Sequence, residues 1–136
     1  MTRVAIDAAT AIRLVREGAT VHDEHQLVAP NLLRSQALSS LYRDARRGVL
    51  GEDEARALLD GVTTLRIRLL GDRVSRAVAW QIAARLGWDD TTHAEYVAVA
   101  KLQADVLVTA DEELARQVAG IVRTGPFELL TSPAPR

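Results

Sequence analysis

Two aspartates stand where a carboxylate can do chemistry. Asp7 closes the run Val4-Ala5-Ile6, and Asp111 follows Val106-Leu107-Val108 after Thr109 and Ala110. Each run is short and continuously apolar, the pattern of a strand buried on both faces of a parallel sheet. Open parallel sheets bind ligands at the carboxyl ends of their strands. If the two strands are neighbours, carboxylates from distant parts of the chain converge on one cleft. There they repel each other unless a cation lies between them, and hard oxygen ligands favour Mg²⁺ or Mn²⁺. A second use is open to both: aspartate is a preferred helix N-cap, and a helical pattern follows each one.

Other chemistries find little support. The chain has no cysteine, which excludes a disulfide framework, a thiolate nucleophile and thiolate-held metals. It has neither a G-x-x-x-x-G-K-[ST] loop nor a G-x-G-x-x-G turn to cradle a nucleotide phosphate. Ser35, Ser39, Ser40 and Ser75 fall within helical patterns and not on a G-x-S-x-G elbow. His22 and His25 sit in a polar stretch with no third ligand near in sequence, so a solvated loop is expected there. Arg34, Arg43, Arg46 and Arg47 crowd one helix, and Arg13 and Arg16 another. Such charges normally line a solvated face, although beside a cleft they can hold a nucleic-acid backbone. Trp80 and Trp88 read as packing residues.

The elements that must position the aspartates alternate along the chain. Residues 2–6 form a strand and residues 8–17 a helix with Ala11, Ile12, Leu14 and Val15 on one side, stopped by Gly18. Residues 27–29 form a second strand. Pro30 suits the first turn of the following helix, where its missing N–H would be unpaired anyway; that helix runs to about Arg47. Residues 51–62 are helical, and Leu65, Ile67 and Leu69 alternate with Arg66 and Arg68 as a half-exposed strand. Gly71-Asp72 opens a helix that ends at Leu86-Gly87. A helix over residues 93–102, a strand over 105–109, a helix over 112–119 and a last strand over 127–130 complete the pattern. Residues 131–136 read as a flexible tail. The expectation is one three-layer α/β/α domain over residues 1–130, with a mainly parallel central sheet.

Composition agrees. The chain has 136 residues, 48% of them hydrophobic and 26% charged, with a formal net charge of −1. That is one globular domain's worth of sequence. Near-neutral charge argues against coating nucleic acid non-specifically, though not against a local basic face. No stretch approaches the ~20 apolar residues of a membrane span, and a cytoplasmic protein is expected.

With the elements placed, the sequence resembles the PIN domains, in particular the toxin ribonucleases of VapBC toxin–antitoxin pairs. The matching pieces are VAIDAATAI, APNLLRSQALSSLYR and AARLGWDDTTHAEYVAVAKLQADVLVTADEELA. The resemblance implies a metal-dependent endoribonuclease whose site gathers three or four carboxylates around Mg²⁺ or Mn²⁺, with Asp7 and Asp111 among them. It further implies an RNA substrate, a homodimer, and a small antitoxin whose peptide, often arginine-bearing, plugs the acidic cleft.

Two positions depart from that pattern. Gln36 stands where the family usually has a glutamate, and His93 where it has an aspartate opening the AEYVAVA helix. Glutamine keeps one carbonyl oxygen and loses the charge; histidine suits Mn²⁺ better than Mg²⁺. Gln36 would then orient water, and His93 would ligate metal or carry a proton. Asp90 or Glu95 would partly replace the missing ligands. Each also has a structural reading: Asp90 in a turn, and Glu95 in a capping box with Thr92. A metal-dependent ribonuclease is the favoured expectation. The alternative is a degenerate PIN module that binds RNA or a protein partner and cuts weakly or not at all. A phosphoacceptor, receiver-like domain fits worse, since the only lysine is Lys101, mid-helix.

Overall fold

A computed structural model describes residues 1–134. The three continuously apolar runs form the middle of one sheet: β1 (Thr2–Ile6), β2 (His25–Pro30) and β4 (Val106–Val108). β3 (Ile67–Leu70) and the two-residue β5 (Thr124–Gly125) flank them, in the order β3-β2-β1-β4-β5 with every pairing parallel. Alternate residues of the central strands enter different cores. Val4, Ile6, Leu27, Ala29, Val106 and Val108 pack against α1 (Ala8–Glu17), α2 (Leu33–Arg46) and α3 (Glu52–Thr64). Ala5, Val28 and Leu107 pack instead under α4 (Arg73–Leu86), α5 (Thr92–Gln103) and α6 (Glu112–Gln117). Burying one such aliphatic side chain contributes about 1.5–3 kcal/mol, which explains why these strands carry no polar residue in their centres. The three-layer α/β/α arrangement with a parallel sheet is the one expected from the sequence.

The chain steps outward from β1 to β2 to β3, then returns across the sheet to β4 on the other side of β1. This reversal puts the topological switch point between β1 and β4, whose register pairs Ile6 with Val108. A crevice opens at the carboxyl ends of strands at such a point.

Some expected boundaries shift. Pro30 closes β2 instead of opening α2, which begins at Leu33. Proline has no N–H to give a ladder, yet a strand's last residue can still pair through neighbours, and the next N–H, Asn31, donates to the Leu70 carbonyl at 3.1 Å. Residues 127–130 are not a strand: Phe127–Thr131 is a 3-10 helix entered from Pro126, and Thr124–Gly125 supplies the edge pairing. His25 is not in a solvated loop. It opens β2 with 7% of its surface exposed, and its Nε2 lies 2.6 Å from the Ser132 carbonyl. The Ala134 N–H donates to the Glu24 carboxylate at 2.8 Å, while residues 135–136 of the expected tail lie outside the described residues. No helix among the described residues is long and apolar enough to cross a membrane.

Candidate functional site

Asp7 is the first residue beyond β1, and its carboxylate performs two tasks. Oδ1 accepts from the Thr10 N–H at 2.8 Å, capping α1, while Oδ2 accepts from the Thr109 hydroxyl at 2.8 Å. Thr109 in turn accepts from the Asp111 N–H at 3.2 Å. One hydroxyl thus ties the ends of β1 and β4 together. Asp111 caps α6, its Oδ1 accepting from the Leu114 N–H at 3.0 Å. Capping and a shared cleft therefore hold at the same time.

Four of the residues singled out in the sequence, Asp7, Gln36, His93 and Asp111, border one cleft of about 250 Å³. Ala9, Ser40, Arg43, Tyr96 and Leu114 complete much of its wall. Asp90 and Glu95 are not among the lining residues. Asp90 Oδ1 accepts from the Thr92 N–H at 3.0 Å, so the turn before α5 consumes it. Thr92 lies inside α5 and its hydroxyl makes no cap; the capping box with Glu95 does not form, because the helix starts one residue earlier than the pattern requires. Glu95 borders a separate, smaller hollow of about 110 Å³ with Asn31, Ser75 and Arg76. Burial raises its pKa, and the nearby Arg76 opposes that shift. The helical turn explains the split: residues two apart on a helix diverge by about 200°.

Tyr96 is the site residue that sequence reasoning passed over. It is 3% exposed in a helix whose other buried residues are alanines and valines, three residues after His93, and that spacing on one helical face was the available signal. Its hydroxyl donates to Gln36 Oε1 in a short hydrogen bond. Burial foremost, then the charges of Asp7 and Glu95, push the phenol above the usual tyrosine range, so it stays neutral and donates. One lone pair of Gln36 Oε1 is thus taken by Tyr96, which turns the amide so that its N–H₂ can serve the cleft. His93 is held from the other side by Trp88, edge-to-face with ring centres 6.0 Å apart, and Trp88 Nε1 donates to Gln117 at 3.2 Å.

The donor set suits a metal poorly. Only Asp7 and Asp111 bring carboxylates to the cleft, and the other two corresponding positions bring an amide and an imidazole. Arg43 adds a positive charge to the same wall. Among the described residues, no group of three or more His, Cys, Asp or Glu is placed to hold a metal ion.

No family model and no curated protein matches the sequence. The fold, however, is similar to solved structures. PAE2754 from Pyrobaculum aerophilum superposes with a TM-score of 0.73 at 24% identity, over 96% of this chain and 93% of that one. VapBC-1 from nontypeable Haemophilus influenzae gives 0.61 at 13% identity, over 93% and 98%. VapBC2 from Rickettsia felis, bound to a DNA fragment from their promoter, gives 0.65 at 7% identity, over 91% and 98%. The fold is PIN-like.

Proposed function

We propose that this chain is a PIN-like module that binds RNA or a protein partner in the cleft at the β1–β4 switch point, with weak or no cleavage. The observation that carries this reading is the character of the cleft. Its four corresponding positions meet, yet two carry carboxylates and the other two an amide and an imidazole. Hydrolysis of a phosphodiester by bound divalent ions needs charge concentrated on both the attacking and leaving oxygens. Two carboxylates opposed by a guanidinium supply little anchorage for such ions. Binding makes no such demand.

A second reading, Mg²⁺- or Mn²⁺-dependent RNA cleavage, is favoured by one observation: Thr109 bridges the Asp7 carboxylate and the Asp111 N–H, and both aspartates border that cleft. In that reading His93 and Gln36 serve as proton carrier and water-orienting amide. The likeness to VapBC-1 and VapBC2 supports, for either reading, an antitoxin-type protein partner; a homodimer and a cytoplasmic setting rest on the sequence resemblance and are parts of the same proposal.

Incubating the purified protein with a mixed pool of structured RNA in Mn²⁺, in Mg²⁺ and in EDTA separates the two. We expect RNA retained by the protein in EDTA and no metal-dependent cutting. Cutting that needs metal and disappears in both Asp7→Asn and Asp111→Asn would establish the ribonuclease instead.

A further inference from the structure

The cleft wall contributed by α2 has a spacing that neither capping nor core packing requires. Gln36, Ser40 and Arg43 stand at i, i+4 and i+7, so they share one helical face, and all three border the cleft. Over that interval the helix rises about 10 Å, which carries Arg43 well away from Gln36 along the wall. The neighbouring arginines do other things: Arg46 borders the groove between α2 and α3, and the buried Nε of Arg34 has no hydrogen-bond partner. Among the described residues the ion pairs are Arg13–Glu17 and Arg116–Glu113; Arg43, an exposed residue, takes part in neither.

We infer that this face is a track for a single-stranded phosphodiester backbone, with Arg43 holding a phosphate at its own end of the wall and Gln36 and Ser40 supplying neutral hydrogen-bonding groups along it. The inference rests on the RNA-binding half of the function proposed above. The chemistry of the wall is graded. Arg43 offers a planar fork of donors suited to a phosphate, and Gln36 offers N–H₂ because Tyr96 turns its amide that way. Asp7 and Asp111 offer acceptors and repel phosphate, which confines the anionic part of a strand to the Arg43 end. A ribose 2′-hydroxyl, unlike a deoxyribose carbon, can donate to those carboxylates, so RNA is the preferred strand. Because the grip uses side chains alone, it operates in EDTA.

The test is fluorescence polarisation of a short, unstructured, labelled RNA, and of DNA of the same sequence, titrated with protein in EDTA at several salt concentrations. Arg43→Ala should weaken RNA binding about tenfold, the effect of losing one charge-assisted contact. It should also flatten the slope of log affinity against log salt by about 0.7, the value for one single-strand phosphate contact. Arg43→Lys should restore the slope and only part of the affinity. Arg85→Ala, which removes an equally charged exposed residue of α4, should do neither. Equal behaviour of Arg43→Ala and Arg85→Ala, with RNA still bound, would overturn the track and leave RNA binding standing. No RNA binding by the unaltered protein would overturn the RNA half of the function, and the track with it. DNA bound as tightly as RNA, with the same dependence on Arg43, would keep the phosphodiester site and overturn the choice of RNA.

Discussion

Asp7 Oδ1 caps α1 through Thr10, and its Oδ2 receives the Thr109 hydroxyl that also orders Asp111. Truncating such a residue confuses two effects, lost chemistry and lost structure. Removing an N-cap side chain costs about 1 kcal/mol, and up to about 2 in a protein. Asp7→Ala should therefore lower the unfolding free energy by that order, read as an earlier midpoint in urea, before any ligand is considered. Asparagine keeps an oxygen at the cap, removes the charge and sets an N–H₂ against the Thr109 hydroxyl, which can turn to accept from it. Asp7→Asn should unfold close to the unaltered protein, and a loss of binding or cutting in it can then be assigned to charge. Matching urea midpoints for the alanine and asparagine variants would show that the cap contributes nothing here.

At the scale of elements, the clearest local signal is the start of α4. Asp72 accepts from the Ser75 N–H at 2.8 Å while Ser75 Oγ receives the Asp72 N–H at 2.9 Å, a reciprocal capping box. The backbone hydrogen bond from Ser75 is the main reason that the Asp72 carboxyl ionises below its usual 3.8. A depressed folded-state pKa contributes stability that is present above the unfolded-state value and is lost as pH falls through the folded one. Thermal melts of Asp72→Ala should thus fall below the unaltered protein at neutral pH, with the gap narrowing below about pH 4. The difference between Asp72→Asn and Asp72→Ala, neither of which carries the titrating carboxyl, should not change across that range. A wild-type-to-alanine gap constant down to pH 3 would mean the charge is irrelevant to the cap. Elements of this kind were legible in the sequence because their cause is local: apolar runs buried on both faces, Gly18 at a helix end with φ of 59°, Asp72 at a helix start. The misread ones depend on distant partners. Pro30 stays extended because Leu70 receives the next N–H, and His25 is buried because Ser132 reaches back to it. In the site, Asp7 and Asp111 could be read from their strands. The Gln36–Tyr96 bond spans 60 residues, and no spacing rule announces it.

For the whole molecule, the sheet order decides where chemistry can occur, and the side chains decide which chemistry it is. Crossing back from β3 to β4 would bring positions 7, 36, 93 and 111 together whatever residues they carried, since the convergence belongs to the backbone. The combined variant Gln36→Glu with His93→Asp isolates the side-chain part. It takes the formal net charge from −1 to −3, one unit for each substitution, and places the added charges in a cleft that already holds two carboxylates. Without metal, repulsion among four carboxylates should lower the melting temperature relative to the unaltered protein. Mn²⁺ then binds the folded state selectively, and at a hundredfold excess over its dissociation constant it adds about 2.7 kcal/mol. In a domain of this size that corresponds to a rise of about 10 °C. The unaltered protein, with its two carboxylates and Arg43, should rise much less. Melting curves of both proteins across a Mn²⁺ titration measure the difference directly. An equal rise in the two would mean that an amide and an imidazole hold the ion as well as two carboxylates do, and the character of the cleft would then no longer argue against metal binding.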